Sequence, residues 1–216
     1  MTHAVCFDMD GTLVDTEPVW HRSLIAMCAQ EGVEWTQADC DQYVGLPMEL
    51  WIADMRSRGM PGTDDDLRGR AIAMVAEAVG DDVPWLPGAR ELLSALVDAG
   101  VATALVTNAG RANAAAIVRA APSGSLTVVV TSDDVQQAKP HPEAYLAAAA
   151  ALGADPARSI GVEDSGAGAR AVVAAGMELW FVRSHSPHPG FAPARSVATL
   201  AEATADEVLA AFARLR

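Results

Sequence analysis

The sequence predicts an α/β protein with a doubly wound, mostly parallel sheet and an all-helical subdomain inserted into it. Three observations carry that reading. Short, charge-poor aliphatic runs alternate with helical stretches over most of the chain, the pattern of parallel strands covered on both faces. The alternation stops once, from about Pro18 to Val83, where the apolar spacing is helical. Glycines stand where three of the helical stretches must end.

Taken in order, Ala4–Phe7 is a short apolar run ending at Asp8 and the turn-forming Gly11, a buried strand close to the start of the chain. Within residues 18–83, Trp20, Leu24, Met27 and Cys28 fall on one helical stripe. Leu50, Trp51, Asp54 and Met55 form another turn set, and Leu67–Val79 a third. A structureless loop of that length is implausible in a compact domain, so the segment reads as a helical cap. Pro84, Pro87 and Gly88 mark the return to the main body. Strands follow at Ala102–Val106, Leu126–Thr131, Ser159–Val162 and Leu179–Val182. Helices lie between them at Ala89–Ala99, Arg111–Ala120, Pro142–Leu152 and Gly166–Ala175, and Gly100, Gly153 and Gly176 terminate three of these. The expected organisation is a Rossmann-like core of residues 1–17 and 84–216, with the cap at 18–83.

Composition narrows the function. Fifteen Lys and Arg against 28 Asp and Glu give a net charge of −13. Nucleic-acid backbones and anionic membranes demand clustered positive charge, so neither is an expected partner. The sole lysine is Lys139. Cys6, Cys28 and Cys40 are too few and too irregularly spaced for a disulfide framework or a structural zinc site, which points to a reduced, cytoplasmic protein. The N-terminus reaches Asp8 and Asp10 without a signal-like apolar stretch, and no apolar run is long enough to span a bilayer.

Four groups of residues can carry chemistry, and each follows an expected strand, where open α/β sheets bind ligands. Asp8 and Asp10, two apart before a glycine, suit one cation or two divided roles. A carboxylate can attack phosphorus while its neighbour serves as general acid and base. The plain alternative is a solvated acidic turn. Thr107 and Asn108 precede a helix whose N-terminus suits a phosphate, or else they cap it. Lys139 stands before Pro140-His141-Pro142. It either balances a phosphate and nearby carboxylates or is a turn lysine, and its uniqueness favours the first. Glu163 and Asp164 end a strand before Ser165, where they complete an oxygen site for Mg²⁺ or act as a helix N-cap.

In order and spacing the four groups resemble the haloacid-dehalogenase-like superfamily. Phe7–Asp15 with Thr16-Glu17-Pro18, Thr107-Asn108, Lys139–Pro142 and Val162–Ser165 carry the likeness. It points to the branch of β-phosphoglucomutase and the sugar-phosphate phosphatases, which have a helical cap after the first strand. The resemblance implies that Asp8 is the nucleophile and that Asp10 protonates the leaving alcohol, then activates water. It implies Mg²⁺ held by Asp8, the Asp10 carbonyl and Asp164, with Glu163 acting through water. It assigns the phosphoryl oxygens to Thr107, the Asn108 amide and Lys139. Ala120–Leu126 departs from the family's usual Gly-Leu…Phe-Asp stretch, so the start of the following strand is not set by the likeness.

Within that family, Asp10 argues against the dehalogenases, which lack an acid there. A cap without lysine argues against Schiff-base hydrolases. After Gly45 the chain reads Leu46-Pro47-Met48-Glu49, without the arginine that holds a mutase's second phosphate. The reading is a Mg²⁺-dependent phosphatase of a small phosphorylated metabolite, a sugar or polyol phosphate, acting through an aspartyl phosphate. The alternatives are a phosphomutase and a non-catalytic binding module on the same fold. Trp20, His21, Gly45, Leu46 and Met48 are the substrate-contact candidates. His185 and His188 lie in a Pro-rich segment that reads as a solvated loop.

Overall fold

The computed structural model describes residues 3–44, 48–183 and 190–215. Gly45 and Leu46, and likewise His185 and His188, lie outside the described residues. The chain forms two compact units, residues 1–15 with 84–216, and residues 16–83.

The larger unit is built on a six-stranded sheet of order β3-β2-β1-β4-β5-β6 among the described residues. Its strands are β1 (Ala4–Phe7), β2 (Ala102–Val106), β3 (Val128–Val130), β4 (Ile160–Glu163), β5 (Glu178–Val182) and β6 (Arg195–Val197). Every pairing is parallel. β1 is buried along its whole length, as a central strand with both faces covered must be. Alternate side chains divide between the faces. Cys6, Ala104, Val106, Leu179 and Phe181 join one core cluster with Tyr145, Ala148, Ala149, Ala169 and Val172. That cluster is supplied by α7 (Glu143–Leu152) and α8 (Gly166–Ala174).

The remaining helices of this unit are α5 (Ala89–Asp98), α6 (Arg111–Ala120) and α9 (Ala205–Arg214). α5 turns Leu92, Leu93 and Leu96 inward and packs against β2 and α9. α7 lies on β1, β2 and β3. Its buried side is mostly alanine, which lets the helix approach the sheet closely.

The smaller unit is helical: α1 (Glu17–Gln30), α2 (Gln37–Asp41), α3 (Met48–Ser57) and α4 (Asp64–Asp81). Leu24, Met27 and Cys28 of α1 meet Trp51, Ile52 and Met55 of α3 and Leu67 and Ala71 of α4 in one core. Thr36 and Thr63 open α2 and α4 with capping boxes, each hydroxyl accepting from an aspartate N–H three residues on. Arg58 holds both Asp39 and Asp54 and stacks over Trp35.

Several elements differ from expectation. The third strand is Val128–Val130 rather than Leu126–Thr131. Leu126 takes a positive φ of 49°, which breaks extension before the strand, and the Thr131 side chain caps the turn that follows it. The fourth strand is displaced by one residue, so Glu163 belongs to the strand and not to the loop after it. Leu50, expected on an inward turn, is 49% exposed, and Ile52 occupies the core in its place. β6 and α9 were not expected. β6 has only three residues, too few to show a period, whereas α9 carries a readable Thr204-x-x-Glu207 capping box. The three cysteines are free and buried. Among the described residues no helix is long and apolar enough to cross a membrane.

Close packing of α8 on β4 depends on Gly161. A Cβ there would lie 2.4 Å from Val172 Cγ2 and 2.6 Å from Cγ1. Gly161→Ala is expected to destabilise the protein by about 1–3 kcal/mol through overpacking. Urea unfolding monitored by circular dichroism measures it, and an unchanged midpoint would contradict the packing assigned to this face.

Candidate active site

Strand register assembles the site. Phe7 is level with Leu105 of β2 and Val162 of β4, so the next residue, Asp8, is level with Val106 and Glu163. The Asp8 N–H donates to the Val162 carbonyl at 3.0 Å, continuing the ladder one step past the strand. Three neighbouring strands therefore end together.

Lys139 meets all three ends. Its Nζ lies 2.6 Å from Asp8 Oδ1, 2.6 Å from Glu163 Oε1 and 2.8 Å from the Val106 carbonyl. An ammonium has three N–H donors, and these contacts engage them all. The lysine side chain is 3% exposed and the Glu163 side chain 0%. Burial opposes the lysine's charge, but Asp8 and Glu163 outweigh it and hold the ammonium above its ordinary pKa.

The loop carrying Lys139 is fastened at several points. The Lys139 N–H donates to Asn108 Oδ1 at 3.0 Å, and Asn108 Nδ2 donates back to the Lys139 carbonyl at 3.4 Å. Glu143, in the first turn of α7, accepts from the N–H groups of Gln136 and Gln137 at 2.9 and 3.0 Å. The Asn108 side chain thus serves the lysine's main chain. Thr107 is buried, and its hydroxyl accepts from the Ala109 N–H.

Glu163 is surrounded by donors. Besides Lys139, it accepts from the Tyr145 hydroxyl at 2.8 Å and from the Ser165 N–H and hydroxyl at 3.2 and 3.0 Å. Ser165 in turn caps α8 by accepting from the Gly168 N–H. Tyr145 and the Val106 carbonyl had not been singled out from sequence, and Ser165 only as the residue after the acidic pair. The only signal was a lone hydroxyl in the alanine-rich run of α7.

Asp8, Glu163 and Asp164 each offer a carboxylate oxygen within 4.8 Å of the others. Three buried carboxylates cluster here, and the ammonium contacts two of them, Asp8 and Glu163. Burial first, then Glu163, raises the Asp8 carboxyl well above the usual range against the pull of Lys139. A divalent oxygen-seeking cation fits such a donor set, because it removes the surplus negative charge. Gly11 keeps this side open: its φ is +85°, and a Cβ would fall 2.2 Å from Asp164 Oδ2. Asp10 sits on the same turn, bridged to Val14, and is exposed.

The cap candidates lie in the helical unit. Trp20 and Met48 are partly buried against its core. His21 Nδ1 lies 2.6 Å from Gln37 Nε2, and Cys40 Sγ donates to the His21 carbonyl at 3.8 Å, so this histidine ties α1 to α2.

The chain is similar to known proteins. Residues 2–176 match the family model for haloacid dehalogenase-like hydrolases. CbbY of Rhodobacter capsulatus is 32% identical over 188 residues, covering 82% of this chain and 83% of its own. Hexitol phosphatase B of Escherichia coli O157:H7 is 30% identical over 227 residues, covering 95% and 96%. The crystal structure of CbbY from Rhodobacter sphaeroides in complex with phosphate superposes with a TM-score of 0.80 at 25% identity, covering 96% of this chain and 99% of that one.

Gly168 makes room for the buried carboxylate: a Cβ would lie 1.7 Å from Glu163 Oε1. Four donors pin that side chain, so it cannot swing aside freely. Gly168→Ala is expected to cost about 2 kcal/mol or more of stability by displacing it. Thermal unfolding checks this, and a wild-type midpoint would show that Glu163 is not held as described.

Proposed function

We propose that this chain, which belongs to the haloacid dehalogenase-like hydrolase family, is a Mg²⁺-dependent phosphatase of a small phosphorylated metabolite, a sugar or polyol phosphate. The observation that carries the reading is the Asp8 carboxylate, held by a buried ammonium beside Glu163 and Asp164 at the carboxyl end of the central strand. The relatives, a hexitol phosphatase among them, support the substrate class.

In this reading Asp8 attacks phosphorus. A bond forms between its carboxylate oxygen and phosphorus while the bond to the alcohol oxygen breaks, and Asp10 gives the departing alcohol its proton. Asp10 then takes a proton from water as that water attacks the aspartyl phosphate, and the Asp8 carboxylate is released. The exposure of Asp10 suits a group that exchanges protons with solvent. Lys139 fixes the Asp8 carboxylate and supplies positive charge where a dianion must meet acidic groups. Asp8, the Asp10 carbonyl and Asp164 would hold Mg²⁺, which supplies charge neutralisation for the phosphoryl oxygens. Thr107 and the Asn108 amide are assigned to those oxygens. Substrate selection is assigned to the helical unit, through Trp20, His21 and the segment from Gly45 to Met48. Free, buried cysteines suit a reducing compartment such as the cytoplasm.

A hydrolysis screen across phosphorylated sugars and polyols, with Mg²⁺ and Asp8→Asn as the control, tests the proposal. Stoichiometric inorganic phosphate is expected from the wild type, and a loss of about 10³-fold or more from the variant, with a circular dichroism spectrum that shows it still folded. Isomerised sugar phosphate without net phosphate would favour a mutase. No turnover by folded wild type on any phosphate ester would favour a binding module.

Mg²⁺ binding should depend on pH. Raised above its unfolded value, the Asp8 pKa favours the protonated carboxyl in the metal-free fold, so metal-free stability falls as pH rises from about 4 through that folded pKa. The cation competes with this proton. Added Mg²⁺ is expected to raise the melting temperature at pH 7.5, with the rise shrinking towards pH 5. Scanning fluorimetry measures it, and a pH-independent rise would place the ion elsewhere.

A further inference from the structure

We propose that Tyr145 is a positioning residue for phosphoryl transfer, acting through Glu163 to set where the Lys139 ammonium stands against Asp8. The proposal rests on the phosphatase reading above.

The ammonium is shared evenly, at 2.6 Å from Asp8 Oδ1 and 2.6 Å from Glu163 Oε1. Both carboxylates compete for one cation in a buried site, so whatever else satisfies Glu163 decides the division. The Tyr145 hydroxyl donates to the same Oε1 at 2.8 Å. That donation meets part of the oxygen's demand and weakens its hold on Lys139, leaving the ammonium available to Asp8. The Tyr145 ring also flanks the cation, with Nζ 5.0 Å from its centroid. One side chain therefore touches both members of the Lys139–Glu163 pair.

Packing does not account for the hydroxyl. Tyr145 is fully buried in the third position of α7, between the small residues Ala144, Ala148 and Ala149. Phenylalanine would fill the same volume there. What phenylalanine lacks is the donor, and a buried carboxylate oxygen that loses one draws harder on the donor that remains. The ammonium then moves towards Glu163 and away from the nucleophile.

Because Lys139 is the only lysine, lysine labelled with ¹³C at Cε and ¹⁵N at Nζ gives one side-chain signal from the whole protein. Tyr145→Phe is compared with wild type by that signal, by steady-state hydrolysis of p-nitrophenyl phosphate with Mg²⁺, and by thermal unfolding. Tyr43→Phe, at the other tyrosine, is the control. A displaced lysine signal is expected in Tyr145→Phe and not in Tyr43→Phe. With it should come a kcat about tenfold lower at a KM within about twofold of wild type, the split expected when an interaction with the reacting group is lost rather than substrate binding. In a Glu163→Gln background, Tyr145→Phe should lower kcat by less than about twofold, since the residue through which it acts has changed.

An unmoved lysine signal overturns the proposal whatever happens to kcat, because the phenol then does not act on Lys139. A moved signal with wild-type kcat overturns it as well. A tenfold loss that persists in full in the Glu163→Gln background overturns the route through Glu163. Failure of the wild type to hydrolyse any phosphate ester is a different result: it removes the phosphatase reading, and the lysine signal still reports whether Tyr145 acts on the ion pair.

Discussion

A single ammonium joins the carboxyl ends of three adjacent strands. Asp8 follows β1, Val106 ends β2 and Glu163 ends β4, and Lys139 Nζ touches all three. Carboxylates this close and this buried repel one another strongly. Removing one partner from a buried charge pair typically costs about 3–5 kcal/mol, so the cluster depends on the lysine staying in place. Much of the surrounding chain serves that end. Asn108 clamps the lysine's peptide groups and Glu143 holds the two glutamine N–H groups before it. Ser165 satisfies the far oxygen of Glu163, Tyr145 shares the near one with Lys139, and Gly168 leaves space for the carboxylate.

The sheet order explains why residues so far apart in sequence meet. β1 lies between β2 and β4, and its neighbours are supplied by different parts of the chain. Parallel strands put every carboxyl end on one edge. Each of these strands ends in an acidic side chain or an accepting carbonyl at the same level, so the loop leading into α7 can reach all of them. The alanine-rich side of α7 matters here, because it brings the helix and the loop before it down onto the sheet. The net acidity of the chain is locally useful at this edge: a surplus of carboxylates over ammonium is the condition under which a divalent cation is attracted at all.

Most of this was legible in the sequence, and the limits were physical. The bounds of β1, β2 and α6 match the expected ones because charge-poor runs stop at turn residues there. The third strand was harder. Its first residues look extended by composition, but Leu126 is turned by its backbone, which composition does not record. The four motifs named Asp8, Lys139, Glu163 and Asp164, and strand order brings these together. The Asn108 side chain was legible only as a neighbour of Thr107, since its bond to the Lys139 peptide spans 31 residues. Tyr145 was not legible as a site residue. Helical spacing makes it core, and only tertiary register shows that its hydroxyl ends at a carboxylate.

The choice of lysine in a chain that otherwise relies on arginine follows from the shape of the cluster. A guanidinium is planar and presents its donors in a rigid fork suited to one carboxylate at a time. The three acceptors here belong to three strands and surround one point. An ammonium carries three donors that diverge from a single atom, and its compact charge fits a site where the side chain is 3% exposed. An arginine would need a larger cavity and would leave at least one of Asp8, Glu163 and the Val106 carbonyl without a donor aligned to it. The geometry of three parallel strand ends therefore selects lysine at this position, whatever cation the surface of the protein uses elsewhere.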